Sequence, residues 1–241
     1  IIEIPVVFNV LYKTTAQNVS QAQLQSQIDV LNEDFAATNI DYNLTSTYNS
    51  VKSGNIAVHF VLDAVVRKQT NTTSWSTNNA MKKSAKGIAP TSPTTKLNIW
   101  ICNMGGGILG YAQFPGGSSA TDGVVLDDNA TGRTGTAAAP FNKGRTATHE
   151  IGHWLGLYHI SGDEECGDDE CNDTPPQRGN EGDGQGLNYG CPTFPHLPNS
   201  CSGTGANGEL FMNFMDYTDD ACMYLFTPDQ RTRMQTAMST I

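Results

Sequence analysis

Positive charge is scarce in this chain of 241 residues: 14 lysines and arginines face 24 aspartates and glutamates, for a net charge of −10. No basic stripe exists to neutralise phosphates, which excludes nucleic acid as a partner. The acidity suits attraction of basic substrates, although most of it reads as solvated surface and ion binding. Long apolar runs are missing as well. No stretch reaches the roughly eighteen residues of a membrane-spanning helix, so no membrane partner is expected. No positively charged, apolar leader precedes Ile1, and the expectation is a mature or trimmed domain. Cys-x-x-Cys pairs are absent, which argues against a structural zinc knuckle. The 6 cysteines therefore point to disulfides in an oxidising compartment. Cys166, Cys171, Cys191, Cys201 and Cys222 crowd the C-terminal third, whereas Cys102 lies in an apolar strand as a candidate buried thiol. Charged residues make up only 16% and hydrophobic ones 38%, with abundant Asn, Thr, Ser and Gly. That composition fits a loop-rich extracellular protein with one sizeable domain or two lobes around a cleft.

Residues 1–12 read as a first strand. Ser20 is a good N-cap for an amphipathic helix carrying Leu24, Ile28, Leu31 and Phe35. Ile56, Val58, Phe60 and Leu62 alternate as in a half-buried strand. Residues 67–93 are rich in Ser, Thr and Asn and read as a long surface excursion with a short helix near Met81. Residues 97–104 form another strand, and residues 112–125 are rich in Gly and Ser. Residues 143–157 then form a helix. Residues 161–208 lack periodicity and need cysteine staples to hold. Thr227-Pro228-Asp229-Gln230 is a capping box opening a last helix with Met234 and Met238 on one face. There is no internal repeat.

The helix at 143–157 carries the chemistry. Residues 149–159 read H-E-I-G-H-W-L-G-L-Y-H. His149 and His153 are four apart, so both imidazoles lie on one helical face and can address one zinc ion. From its place beside the first ligand, Glu150 can reach a water on that ion. Gly156 permits a left-handed helix end, which redirects the chain so that His159 supplies a third ligand. Three protein ligands leave a vertex for solvent, as in catalytic rather than structural zinc sites. This is the pattern of a zinc hydrolase.

The extended motif resembles the metzincin metallopeptidases, and Asn213-Phe214-Met215-Asp216-Tyr217 fits their methionine turn. Trp154-Leu155-Gly156-Leu157-Tyr158-His159, Asp173-Thr174-Pro175, Gly190-Cys191-Pro192 and Met215-Asp216-Tyr217 followed by Cys222 are similar to the pappalysin family. Within it they sit nearest the small secreted microbial, ulilysin-like or cytophagalysin-like members. The recognisable motifs run from about residue 97 to the end of the chain; the first ninety residues match in order of elements only. The resemblance implies an α+β metzincin-like fold in two lobes. Residues 1–156 would form an upper subdomain of twisted mixed sheet, backing helix and zinc helix. Residues 157–241 would form an irregular, disulfide-stapled lower subdomain with the C-terminal helix. It also implies a secreted zymogen whose signal peptide and propeptide are removed, and a monomeric endopeptidase acting on proteins or peptides. Glu150 would be general base and then acid, Tyr217 a hydrogen-bond donor to the oxyanion, and Met215 an apolar floor beneath the imidazoles. Cys191 would pair with Cys222, and Cys201 with Cys166 or Cys171.

Three further features remain. Gly105, Gly107 and Gly110 spell the dinucleotide fingerprint, yet Tyr111-Ala112-Gln113-Phe114-Pro115 cannot start the helix that fingerprint needs. An extended segment at 109–114 is the better reading, and the resemblance makes it the cleft edge against which substrate lies, through Leu109, Gly110, Tyr111 and Ala112. Asp168, Asp169, Asp173 and the Thr174 carbonyl gather hard oxygens suited to calcium, without the glycine of an EF-hand, and the resemblance supports a structural ion there. Asp219 and Asp220 follow the methionine turn, where the resemblance places the wall of the pocket for the residue after the cut; acid there favours Arg or Lys. His59 and His196 lack partners at ligand spacing and read as structural or surface residues. The competing function is a catalytically silent, zinc-stabilised protein-binding domain, against which the intact Glu150 weighs.

Overall fold

The computed structural model describes residues 1–180, 182–198 and 201–240. Its centre is a five-stranded sheet in the order β2-β1-β3-β5-β4. β1 (Ile2–Tyr12), β2 (Val58–Gln69), β3 (Leu97–Cys102) and β5 (Val124–Asp127) run parallel, and β4 (Gly110–Ala112) lies antiparallel to β5 at the edge. β3 and β5 are buried along their whole length, as expected of strands covered on both faces, whereas β2, at the opposite edge from β4, ends in the polar Arg67-Lys68-Gln69.

Alternation along β1 and β3 divides the residues between two cores. Ile4, Val6, Phe8, Val10, Ile99 and Ile101 face α1 (Gln21–Phe35) and α2 (Arg145–Trp154), where they meet Leu24, Ile28, Leu31, Phe35, Ala147 and Ile151. Ser20 caps α1, its hydroxyl accepting from the Gln23 amide. Leu11, Trp100 and Cys102 point the other way and pack with Trp75, Met81, Met104 and Val125. The segment after β2 is thus more than a surface excursion. Its short 3-10 turn, Ala80–Lys82, presses Met81 onto the sheet, and Trp75 is buried beside it. Sparse apolar anchors in polar sequence leave no period to read. β2 itself runs on to Gln69, past the expected end of that strand.

Beyond α2 the chain is largely irregular up to α3 (Pro228–Met238), which opens on the expected capping box at Thr227 and Gln230. The lower region is stapled by Cys166–Cys201 and Cys191–Cys222, while Cys102 and Cys171 are buried free thiols. A two-residue parallel pairing of β6 (Tyr189–Gly190) with β7 (Tyr217–Thr218) joins the 190 loop to the methionine turn. No helix among the described residues is long and apolar enough to cross a membrane.

Candidate active site

The helix that carries His149 and His153 is shorter than the expected 143–157. α2 stops at Trp154, and Gly156 adopts φ +91°, a left-handed conformation that most side chains resist. The Gly156 amide donates to the His153 carbonyl at 2.8 Å, and the Leu157 amide to that of Gly152 at 2.9 Å. This closes the helix and turns the chain downward, bringing His159 beneath the helical pair.

The three imidazoles converge. Nε2 of His153 lies 3.1 Å from Nε2 of His149 and 3.1 Å from Nε2 of His159. The opposite nitrogens fix the tautomers. Nδ1 of His149 donates to the Phe214 carbonyl at 2.7 Å, Nδ1 of His153 to the Leu157 carbonyl at 2.7 Å, and Nδ1 of His159 meets Asp163 Oδ1 at 2.5 Å. A carbonyl oxygen can only accept, so Nδ1 of His149 and His153 bears the proton and Nε2 presents a lone pair. Ligands at about 2.0–2.1 Å from a tetrahedral zinc lie roughly 3.3 Å apart, so the spacing fits that ion. Burial, followed by the neighbouring imidazoles, holds His149 well below the ordinary histidine range and lowers His153 to about 4. Both therefore stay neutral, the ligating form. Among the described residues, this is the one group of three or more His, Cys, Asp or Glu side chains that converges.

Met215 is fully buried, its Sδ against Gly152 of α2, in a turn held from both sides. Asn213 Oδ1 accepts from the Met215 amide at 2.9 Å, and the Asn213 and Gln230 amides exchange hydrogen bonds at 2.8 and 3.0 Å. The helix-capping Gln230 thus also anchors the turn. Asp216 is buried and accepts from the Asn188 amide at 2.7 Å and from the Gln177 side chain at 3.0 Å. The ring of Tyr217 stands 4.8 Å from that of His159 and 5.6 Å from that of His149. Burial, then the charges of Glu150, Asp163 and Asp183, push its phenol up to about 12, so it keeps its proton.

Over this floor opens a cleft of about 400 Å³, lined by His149, Glu150 and Tyr217 together with Leu109, Gly110 and Asp220. Burial alone raises the Glu150 carboxyl to about 8. Gly110 approaches it so closely that a Cβ there would lie 3.1 Å from Glu150 Cγ and 2.8 Å from the Val125 carbonyl. The glycines at 105–110 therefore lead into an edge strand beside the glutamate, not into a nucleotide-binding helix.

Asp220 and Asp219 part company. Asp220 is buried in the cleft wall, its Oδ2 accepting from the Lys143 amide at 2.7 Å and the Arg145 amide at 3.3 Å. Asp219 does not line the cleft; its Oδ2 lies 3.8 Å from Cys191 Sγ. Sequence reasoning missed Arg145, whose guanidinium grips both oxygens of Asp41 at 2.6 and 2.8 Å and the Asp220 carbonyl at 2.9 Å. It also missed Tyr189 on the cleft rim, whose hydroxyl donates to Asp183 at 2.6 Å, and Asp163, which only its spacing of four from His159 could have suggested. His59 is exposed, and His196 bonds Asn188 Oδ1 at 2.9 Å, away from the triad. In the acidic loop Asp168 is exposed, whereas Asp169 is buried and its Oδ1 accepts from the Thr174 hydroxyl at 2.7 Å.

A mixed sheet with an antiparallel edge strand, a three-histidine centre on helix and loop, and a methionine turn beneath it define a metzincin-type metalloendopeptidase. A model of the peptidase M43 family, described as pregnancy-associated plasma protein-A, matches residues 92–239. The extracellular metalloprotease of Verticillium alfalfae is 34% identical over 98% of this chain and 77% of its own. Extracellular metalloprotease 1 of Coccidioides posadasii is 31% identical over 97% of this chain and 75% of its own. Among solved structures, mature mirolysin of Tannerella forsythia in complex with a cleaved peptide superposes with a TM-score of 0.88 at 42% identity, covering 97% of this chain and 90% of that one. A promirolysin mutant of the same organism gives a TM-score of 0.89 at 42% identity, covering 98% of this chain and 80% of that one. The chain belongs to the peptidase M43, or pappalysin, family and is a secreted metalloprotease.

Proposed function

We propose that this metalloprotease cuts protein and peptide chains as a monomer, with Glu150 as general base and a preference for Arg or Lys just after the cut. The observation that carries the reading is the meeting of three Nε2 atoms beside a cleft lined by His149, Glu150 and Asp220. When bound by His149, His153 and His159, zinc supplies Lewis acidity to a water and to the scissile carbonyl. Glu150, raised towards neutrality, takes the proton of the attacking water and returns it to the leaving amine. Tyr217, protonated at all working pH values, donates to the oxygen that gains charge. β4 is the terminal strand of its sheet, so the substrate chain lies along its free edge as an added strand, at Leu109, Gly110, Tyr111 and Ala112. The residue after the cut enters beside Asp220, whose carboxylate pairs with a basic side chain.

A structural calcium ion in the 168–174 loop belongs to the same reading. Asp169 Oδ2 and Asp173 Oδ1 are buried without a protein partner, the state in which a hard cation is a better neighbour than none.

Casein digestion tests the central claim. Cleavage is expected to vanish on chelation and in Glu150→Ala, and undiminished cleavage by that variant refutes the role of the glutamate. A peptide-library digest read by mass spectrometry reports the residue after the cut.

A further inference from the structure

We propose that Asp163 is a positioning residue for the metal centre: it holds His159 with Nε2 on the ion and sets how tightly the ion is retained. The inference rests on the zinc reading of the triad.

The three histidines are steadied unequally. His149 and His153 sit on α2, and their Nδ1 atoms donate to backbone carbonyls that no side-chain change removes. His159 lies beyond the helix end, in a loop, and its ring is held at Nδ1 by the carboxylate of Asp163 at 2.5 Å. Of the three ligands it alone is only partly buried. Solvent can therefore compete for this ligand first, and an acceptor that fixes the ring has most to do there. A carboxylate does more than a carbonyl: it makes the imidazole a stronger electron donor and adds a negative charge near a dication.

The local backbone is shaped for this contact. Asp163 has φ +64°, in the left-handed region that, glycine aside, Asn and Asp adopt most readily. Its amide donates to the Ser161 hydroxyl at 3.2 Å, and that hydroxyl donates to the Gln185 carbonyl at 2.6 Å, tying the turn to the neighbouring loop. The Asp163 side chain is 62% exposed against 16% for His159, so its carboxylate serves little packing purpose. An exposed ion pair by itself adds little to the stability of a fold. Packing thus gives no reason for an acidic residue here, whereas orientation of a ligand does.

Zinc affinity of the metal-stripped full chain, measured by competition with a chromophoric chelator, separates the two. Asp163→Gly removes the carboxylate and accepts the left-handed backbone; Asp163→Asn keeps an oxygen acceptor and removes the charge. The expected result is zinc binding weakened about 10- to 100-fold in Asp163→Gly and by less in Asp163→Asn. The thermal midpoint of metal-free Asp163→Asn should stay within about 2 °C of the parent. Zinc affinity within about twofold of the parent in Asp163→Asn and Asp163→Gly alike overturns the proposal and leaves a surface ion pair. Should Asp163→Gly fold poorly, Asp163→Asn decides alone: weakened affinity at an unchanged midpoint supports the proposal, and unchanged affinity overturns it. A parent chain that binds no zinc sinks the metal reading itself, an outcome distinct from either.

Discussion

The sulfur of Met215 occupies the space that a side chain on Gly152 would need: a Cβ built on that glycine lies 2.5 Å from Sδ. Both residues are fully or nearly fully buried, one in the middle of the zinc helix and the other in the turn below it. The bare helical backbone at position 152 is what lets the thioether pack against the helix that carries His149 and His153. In an open helix Gly→Ala stabilises by about 1 kcal/mol. Here overpacking, at about 1–3 kcal/mol, opposes that gain. We expect Gly152→Ala to lower the melting temperature of the zinc-loaded protein by roughly 2–8 °C. Met215→Leu, nearly equal in volume, should cost less than about 1.5 kcal/mol. Calorimetry showing Gly152→Ala more stable than the parent would contradict the packing argument.

Specificity should divide between two adjacent acids. Asp220 is buried in the cleft wall and Asp219 is turned to the disulfide region. Asp220→Asn retains an oxygen for the Lys143 and Arg145 amides but loses the charge that a basic substrate residue would meet. The ratio of kcat/KM for peptides with Arg after the cut to peptides with Leu there should fall about tenfold or more, a loss of roughly 1.4 kcal/mol. Asp219→Asn should leave that ratio unchanged. Equal ratios for the parent and Asp220→Asn would remove Asp220 from the recognition of substrate.

The readable part of this protein is the part written at helical period or in contiguous turns. His149 and His153 announce themselves because four residues make one turn, and Gly156 because only a special backbone angle ends a helix there. The edge strand at Gly110 is legible from the Pro and Gly that follow it, which forbid a helix. Contacts made across the chain leave no such mark. Arg145 and Asp41 are 104 residues apart, and nothing in either neighbourhood signals the other. Lys82, Met81 and Trp75 are buried within a segment whose composition is that of a surface loop, because a few anchors suffice to pin it on the sheet. The choice between Cys166 and Cys171 as partner of Cys201 depends on loop geometry, and Cys166 holds it.

The same buried arginine predicts a pH dependence of stability. Burial outweighs the attraction of Arg145 and pushes the Asp34 carboxyl up to about 7. At Asp41 burial also acts upward, but the hydrogen bonds and charge of Arg145 carry its carboxyl below the ordinary value. The raised group binds its proton more tightly in the folded state, so its contribution is full below about pH 4 and is lost as pH climbs through about 7. The lowered group contributes above about pH 4 and loses that only on acidification. Between pH 5 and 8, therefore, Asp34 is the member of the pair that changes. The parent should lose on the order of 1–3 kcal/mol more than Asp34→Asn across that interval. Urea midpoints at several pH values measure the difference, and parallel curves for the two proteins would show that Asp34 is already ionised at pH 5.

Tyr217 offers the sharpest separation of binding from catalysis. Its ring packs against those of His149 and His159, and that contact survives replacement by phenylalanine. What Tyr217→Phe removes is one hydroxyl, whose proton is held up to about pH 12 by burial and the nearby carboxylates. A donor aimed at charge that develops only in the transition state should affect kcat and leave KM nearly alone. Loss of one oxyanion donor typically costs about 100- to 1,000-fold in rate, and the 37% exposure of this side chain places the expectation near the lower value. Zinc content and melting temperature should match the parent, since no ligand and little buried area change. Stopped-assay kinetics on a single peptide substrate decide it. A rise in KM with unchanged kcat would recast the phenol as a substrate-binding group. An unaltered kcat and KM would leave the oxyanion to the metal alone.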